Sequence, residues 1–238
     1  MTKLKRGLLA CVAVLALSVS ASAGPVREFE GALRSAYADY RNALFLTNAG
    51  KRDAAIDAIA GFEQKWTALE KSAAGRPPQY ADDGQYGETF TKVAAIAEKA
   101  ARQASAGQLG EAHAMLESIR EEIGGLHERS GIIGFSDRMN AYHAMMEHVL
   151  QTYGGAVSAA QLGDLREDSA VLAYLAHDIE AHPPADAASN AEFKQLLDAM
   201  LNSVAAVQAA ARSGNPSAVG PALGALKAPY SKLFLKFG

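Results

Sequence analysis

The chain has 238 residues, with 23 basic and 26 acidic side chains, a formal net charge of −3 and a single cysteine. This balance excludes a nucleic-acid-binding protein, because such a protein needs a basic stripe. Many alanines, few β-branched residues and 7% aromatics are typical of helix bundles, so we expect an all-α fold.

Residues 1–23 predict a secretory signal peptide. A basic start is followed by an apolar run from Gly7 to Leu17, and Ala21 and Ala23 are small residues of the kind that a signal peptidase reads before cleavage at Gly24. The apolar run is too short for a transmembrane helix, and no later stretch is long enough to span a bilayer. We therefore expect a periplasmic protein without a membrane span.

Cleavage would also change the charge and remove the thiol. It takes away three basic residues and no acidic one, which leaves 20 basic and 26 acidic residues and a net charge of −6. Cys11 leaves with the signal peptide. A chain without cysteine has no disulfide, no thiolate metal site and no cysteine nucleophile, and it cannot hold a c-type haem covalently.

Apolar residues three and four apart predict eight helices along the mature chain. Asn190 is expected to cap the seventh helix, and Pro221 and Pro229 are expected to kink the eighth. A loop is expected at 79–87, and a linker at 130–137 in which Ser136 caps the fifth helix. The expected helices are 26–47, 52–73, 88–105, 110–129, 138–153, 164–181, 191–212 and 219–237.

Short matches at a nearly constant offset indicate an internal duplication. Three matches carry it: Ala36-Tyr37 and Ala141-Tyr142, Pro77-Pro78 and Pro183-Pro184, and Gly107 and Gly214. We therefore expect two tandem four-helix up-down bundle units, residues 24–130 and 131–238, each burying its apolar stripes in its own core.

This arrangement resembles the cytochrome c′ group and its haem-b relatives of the periplasm, with a glycine-marked turn before a last helix of regular apolar spacing. The c′ group attaches haem through C-x-x-C-H near the end of that helix. The matching place reads YSKLF at 230–234 and IGGLH at 123–127, so both cysteines are absent and only His127 stands at the ligand position. The resemblance therefore implies that neither half binds haem covalently. It leaves non-covalent haem or a bare metal as an option in the first half only.

Four histidines lie between residues 113 and 148, among acids at helical spacing. His113 and Glu117 are four apart, as are His143 and Glu147, so each pair shares a helix face. Imidazole with carboxylate suits zinc, iron or copper(II), whereas a thioether suits copper(I). This composition makes both pairs candidate metal ligands.

The segment Tyr142–His148 is the strongest single candidate for a site. It offers His143, Met146, Glu147 and His148, with His127 arriving from the preceding helix. The alternative is structural, because histidines that flank an apolar stripe are often boundary residues and methionines often fill cores. The spacing differs from the Glu-x-x-His of ferritin-like di-iron proteins, so that chemistry is not expected.

Other charged residues are expected to be structural. Arg120 belongs to a charged run that predicts a solvated helix face, and His177 and His182 lie near a helix end, where they would be structural or exposed. The paired acids Asp82 and Asp83 would either touch a cation or form a turn.

These observations favour a periplasmic binding protein that handles a transition metal (copper, iron or zinc) or non-covalent haem. The alternative is a haem-free, metal-free protein-interaction module derived from such a bundle. No catalytic motif is present, so we do not expect an enzyme. The expected partners are a periplasmic redox or metal-transport protein, or a second copy of the chain in a homodimer.

Overall fold

The computed structural model describes residues 24–72 and 76–238, and in these two ranges the chain is helical and contains no β-strand. The predicted all-α fold is confirmed. The expected signal peptide and the last residue of the expected second helix lie outside the described residues. The helices are α1 Pro25–Asn48, α2 Arg52–Ser72, α3 Tyr86–Ser105, α4 Leu109–Arg129, α5 Phe135–Tyr153, α6 Leu162–Ala181, α7 Ala191–Arg212, α8 Val219–Gly224 and α9 Lys227–Phe237.

Local sequence sets where these helices begin and end. Gly107 and Gly214, which the duplication relates, both adopt a positive φ (81° and 72°) in the turns after α3 and α7, a conformation that favours glycine. The Asn190 side chain accepts hydrogen bonds from the amides of Glu192 and Phe193 at 2.8 and 3.2 Å. The predicted cap of the seventh helix is thus confirmed.

The start of α5 differs from the prediction. The helix begins at Phe135, so Ser136 is its second residue and not its cap. The cap is Gly134, whose amide donates to Asp137 Oδ2 at 2.6 Å. The expected linker therefore shortens, because a carboxylate three residues further on holds the first turn.

The expected eighth helix is divided into α8 and α9. The amides of Ala225 and Leu226 donate to carbonyls only three residues back, at 3.2 and 3.1 Å, and so tighten the chain at the break. Pro229 lies in the first turn of α9 and has no amide hydrogen for the carbonyl of Ala225, four residues earlier. The expected kink is a full interruption.

Most helix contacts lie within each half of the chain. In the first half, α1 packs against α2 and α4, and α3 packs against the same two helices. In the second half, α5 packs against α6 and α9, while α7 packs against α6, α8 and α9. Trp66 lies in the first core, where its ring stacks on Phe90 at 4.6 Å and its Nε1 donates to the Phe90 carbonyl at 3.1 Å.

The two halves meet through α1, α5 and α9. Asn140 of α5 donates to the Tyr37 hydroxyl of α1 at 3.1 Å, and the ring of Phe234 in α9 meets the Tyr37 ring edge-on at 6.5 Å. The buried side chains of both halves belong to one continuous apolar cluster. The junction therefore joins the cores, and it brings polar residues of α4 next to α5 and α9.

Candidate functional site

One face of α4 carries most of the candidate residues. His113, Glu117, Arg120, Gly124 and His127 follow each other at steps of four, three, four and three, which places them along one stripe of the helix. The stripe runs past α1, α5 and α9, and three cavities open along it. It therefore connects the histidine expected to bind a cofactor with the histidine–glutamate pairs expected to bind a metal.

His127 is buried at the end of α4, with only 4% of the residue exposed. Its Nδ1 lies 2.8 Å from Asp137 Oδ2, and because a carboxylate only accepts, Nδ1 is the donor. The opposite nitrogen, Nε2, is buried and has no hydrogen-bond partner in the described part of the chain. In the neutral ring, this leaves a lone pair on Nε2 free for a ligand.

The environment of His127 stabilises its charged form. Burial alone would lower its pKa, but the hydrogen bond that His127 donates to Asp137 and the charges of Asp137 and Glu30 outweigh burial and raise the pKa above the ordinary value. Tyr80 lies over the imidazole, with ring centres 6.4 Å apart and planes nearly parallel. A metal that binds Nε2 would displace a proton, so its binding would weaken in acid.

His127 lines a cavity of about 720 Å³, here called the histidine cavity. The cavity lies between the first half of α1, the α4–α5 turn, the α6–α7 loop and the end of α9. It combines apolar walls with cationic side chains. The apolar side chains are Leu33, Tyr37, Ile123, Ile133, Phe135 and Phe237, and the cations are Arg34, Arg41, Arg138 and Lys236. Its volume is typical of small-molecule and cofactor sites, at roughly 300–1,000 Å³.

Arg120 links the two candidate metal pairs. Its Nη1 lies 3.2 Å from Glu117 Oε2 and also contacts His143 Nδ1. The side chain is only 11% exposed, so the expectation that Arg120 faces solvent is wrong. The misleading feature was the acidic run after it, whereas the spacing from His113 and Glu117 places Arg120 on the buried stripe.

His143 is a neutral hydrogen-bond acceptor at neutral pH. Arginine can only donate, so His143 Nδ1 accepts from Arg120 and the proton of the neutral ring lies on Nε2. Burial and the charge of Arg120 lower the pKa of His143 to about 4. The protonated Nε2 lies 3.6 Å from Glu147 Oε1. With this tautomer, neither ring nitrogen offers a free lone pair to a metal.

His113 has the opposite tautomer. Its Nδ1 lies 3.1 Å from the carbonyl of Leu44, which only accepts, so Nδ1 carries the proton. Its Nε2 lies 3.5 Å from Glu117 Oε1. A histidine fixed in this way by a backbone carbonyl can ligate a metal, but the adjacent Glu117 is already paired with Arg120.

His113, Glu117, Arg120 and His143 line a smaller cavity of about 110 Å³ between α1, α4, α5 and α9, here called the junction pocket. Arg41, Lys227 and Tyr230 also line it. An open groove of about 710 Å³ lies between α4 and α5, on the other side of Arg120. It is lined by Glu117, His143 and Glu147. The structure thus brings both predicted histidine–glutamate pairs around one arginine.

The remaining predicted ligands lie elsewhere. Met146 is fully buried in the core of the second half, whereas the exposed His148 lies 3.3 Å from Asp168 Oδ2. His127 lines the histidine cavity, whereas His143 lines the junction pocket and the α4–α5 groove. In residues 24–72 and 76–238, no three His, Cys, Asp or Glu side chains are placed to hold one metal ion.

Several residues that we expect to be structural are paired with other side chains of the protein. His177 and His182 are exposed and lie 2.9 and 3.2 Å from Glu180 and Asp178. Asp83 accepts two hydrogen bonds from Arg129 at 3.0 and 3.1 Å and one from the Gln85 amide. The cation that Asp83 touches is therefore a side chain of the protein itself, and the pair ties the loop before α3 to the end of α4.

Comparisons with protein-family models, with curated proteins and with solved structures gave no match to this chain. No helix in the described ranges is long and apolar enough to cross a membrane. What defines the protein is therefore its all-helical fold and the stripe of α4 at the junction of its halves.

Proposed function

We propose that this protein is a periplasmic binding protein that holds haem without a covalent bond, with His127 as the axial ligand. One observation carries the proposal. His127 Nδ1 donates to Asp137 while Nε2 is buried without a partner. Histidines that ligate metals usually donate their other ring N–H to a carboxylate or carbonyl, which fixes the tautomer and makes the free nitrogen more basic.

The lining of the histidine cavity supports haem over a bare ion. Haem is a flat apolar ring with two carboxylates, and the cavity offers aromatic walls, four cations and the two carboxylates of Glu30 and Asp186. Arg138 and Lys236 are paired with Asp178 and Glu192, which leaves Arg34 and Arg41 of α1 for the haem carboxylates. Guanidinium groups bind carboxylates with two parallel hydrogen bonds, so they suit the haem propionates.

The periplasmic location rests on residues 1–23 alone, which have the order of charge, apolar run and small residues of a signal peptide. In that compartment, a protein that binds haem or a metal reversibly would exchange it with a redox or transport protein. Both the location and this partner are parts of the proposal.

The test is a titration of the mature, untagged protein with haemin, followed by absorption spectroscopy. The wild type is expected to bind one haemin with a shifted Soret band. His127→Ala should lose the spectrum of the histidine-ligated iron and bind at least about tenfold more weakly, a loss of about 1.4 kcal/mol. His177→Ala is the matched control, because His177 is exposed on α6 and does not line the histidine cavity. The same spectrum and affinity in His127→Ala would refute the proposal.

A metal-free interaction module is the second candidate. Val171 and Tyr174 of α6 are three residues apart and are 48% and 71% exposed, so they form an apolar strip on the surface. Purified protein that takes up neither haemin nor copper, iron or zinc, but forms a complex that Tyr174→Ser abolishes, would favour this candidate.

A further inference from the structure

Arg41 is a buried cation without an anionic partner. Only 7% of the residue is exposed, and no carboxylate pairs with it among the described residues. Its Nε donates to the carbonyl of Leu235 over a long 3.4 Å, and its guanidinium lies 5.8 Å from the centre of the Tyr37 ring. A buried charge without a counter-ion is strongly unfavourable, so a bound anion would be stabilising at this position.

Two further donors in the same pocket lack an acceptor. Arg120 directs its Nη atoms to Glu117 and His143, and its buried Nε makes no hydrogen bond in residues 24–72 and 76–238, although the buried Tyr40 hydroxyl lies close to the same guanidinium. The Tyr230 hydroxyl is also buried without a partner, in a residue that is 3% exposed. Burial raises the pKa of Tyr230, so this hydroxyl keeps its proton and can donate. Buried polar atoms in native proteins nearly always have partners.

The charges around the junction pocket are predominantly positive. Arg41, Arg120 and Lys227 line it together with a single carboxylate, Glu117. Lys227 is partly neutralised, because its Nζ lies 3.0 Å from Glu147 Oε1 in the adjoining groove. His143 adds no charge at neutral pH, since its pKa is lowered to about 4.

The pocket is small. Its volume of about 110 Å³ corresponds to roughly four water molecules at about 30 Å³ each. A tetrahedral oxyanion or a short carboxylate fits a pocket of this volume. Each offers several acceptor oxygens, which are the partners that the Arg120 Nε and the Tyr230 hydroxyl lack.

We propose that the junction pocket is a binding site for a small oxyanion, such as phosphate or a short carboxylate, held by Arg41, Arg120 and the Tyr230 hydroxyl. The site joins α1 and α4 of the first half to α9 of the second. A bound anion would therefore stabilise the junction between the halves. Arg41 also lines the histidine cavity, but Arg120 and Tyr230 do not, so Tyr230→Phe tests this anion site separately from haem binding.

The test is calorimetry on the mature protein with sodium phosphate and, separately, sodium acetate, in a chloride buffer of constant ionic strength. The wild type is expected to bind one anion saturably. Tyr230→Phe removes a hydroxyl and keeps the ring that stacks on His143 and Phe234, and it should weaken binding by about tenfold. Arg41→Gln should abolish it.

Tyr174→Phe and Arg102→Gln are the matched controls, because both residues lie on the surface outside the pocket; they should bind as the wild type does. If Arg41→Gln does not fold, the anion affinity of Tyr230→Phe tests the proposal. The proposal is overturned if the wild type binds neither anion at about 10 mM, which would mean that water alone fills the pocket. It is also overturned if Tyr230→Phe binds like the wild type.

Discussion

His127 and His143 face opposite electrostatic surroundings, although both lie near the same stripe of α4. His127 donates to a carboxylate, which raises its pKa. His143 accepts from a guanidinium, and burial together with this cation lowers its pKa to about 4. His127 is therefore paired with an anion and His143 with a cation, so the two histidines should respond differently to pH.

The acid partner of His127 sets its pKa. Replacing Asp137 by Asn removes the charge that stabilises the imidazolium, so we expect the His127 pKa to fall below that of the wild type. NMR titration of the ring protons measures it. Glu180→Gln is the control, because Glu180 pairs only with the exposed His177. An unchanged His127 pKa in Asp137→Asn would show that this carboxylate is not the cause.

The same pair gives a stability that depends on pH. The His127 pKa is higher in the folded chain than in the unfolded chain, so its contribution is complete below the unfolded value of about 6.5. That contribution is lost as pH rises through the folded pKa. Denaturant unfolding from pH 6 to pH 8 should therefore show a smaller loss of stability in His127→Gln than in the wild type, and an equal loss would contradict the assignment.

His143 should make the fold sensitive to acid. Its pKa is depressed in the folded chain, so between pH 6.5 and 4 the unfolded state binds a proton that the folded state does not. The stability it contributes is present above the unfolded pKa and is lost as pH falls towards 4. The two pH units between the unfolded pKa of about 6.5 and pH 4.5 correspond to about 2.7 kcal/mol, and partial exposure reduces this to about 2 kcal/mol.

Denaturant unfolding of the wild type and of His143→Gln at pH 7 and pH 4.5 measures this effect. The variant should lose about 2 kcal/mol less than the wild type between the two pH values. His148→Gln is the control, because His148 is exposed on the same helix. The assignment fails if the two proteins lose stability equally.

At the scale of the elements, glycines in the turns and in the helices should respond oppositely to alanine. Gly214 adopts a φ of +72° after α7, where a side chain is strained, so Gly214→Ala should cost about 1 kcal/mol. Gly124 lies inside α4, and a Cβ there would meet no atom within 4 Å. Gly124→Ala should therefore stabilise the protein by about 0.5–1 kcal/mol.

Thermal or denaturant unfolding of both alanine variants tests this pair of predictions. Because the chemical change is the same, the opposite signs isolate backbone conformation from the added methyl group. A loss of stability in Gly124→Ala would show that the α4–α5 groove is tighter than its geometry indicates.

Helix periodicity explains how much of the fold the sequence could predict. Most expected helix ends lie within two or three residues of those in the structure, because the stripes of three and four residues and the glycine turns are local features. The prolines of the last segment predict only a kink, whereas the structure has a break at Ala225. The α5 cap was misassigned to Ser136, because the bond from Gly134 to Asp137 competes with the usual serine cap.

The candidate site depended on contacts that sequence spacing does not contain. The face of His113, Glu117 and Arg120 could have been read from steps of four and three along α4. The contact of Arg120 with His143 could not, since His143 lies 23 residues away, nor could the approach of Tyr230 from α9 to the same pocket. Arg41 shares the apolar stripe of α1, since it lies four residues after Tyr37 and three before Leu44, but its contact with α9 follows from tertiary packing.

At the scale of the whole molecule, the junction makes one apolar cluster of the two halves. Asn140 bonds Tyr37, Arg41 bonds the carbonyl of Leu235, and one apolar cluster runs through both halves. Domains that share such an apolar interface unfold together when the interface contributes much of their stability. The junction should therefore make unfolding cooperative.

The single tryptophan makes this cooperativity measurable. Trp66 lies in the first core, so its fluorescence reports only on the first half, whereas far-UV circular dichroism reports on the helices of both. We expect the two signals to give the same urea midpoint in the wild type. Tyr37→Ala removes the ring that meets Phe234 and the hydroxyl that Asn140 bonds, and it should separate the midpoints. Tyr174→Ala, on the surface of α6, should leave them coincident. Separate midpoints already in the wild type would mean that the halves unfold as independent units. In that case, only a ligand bound at the junction would couple them.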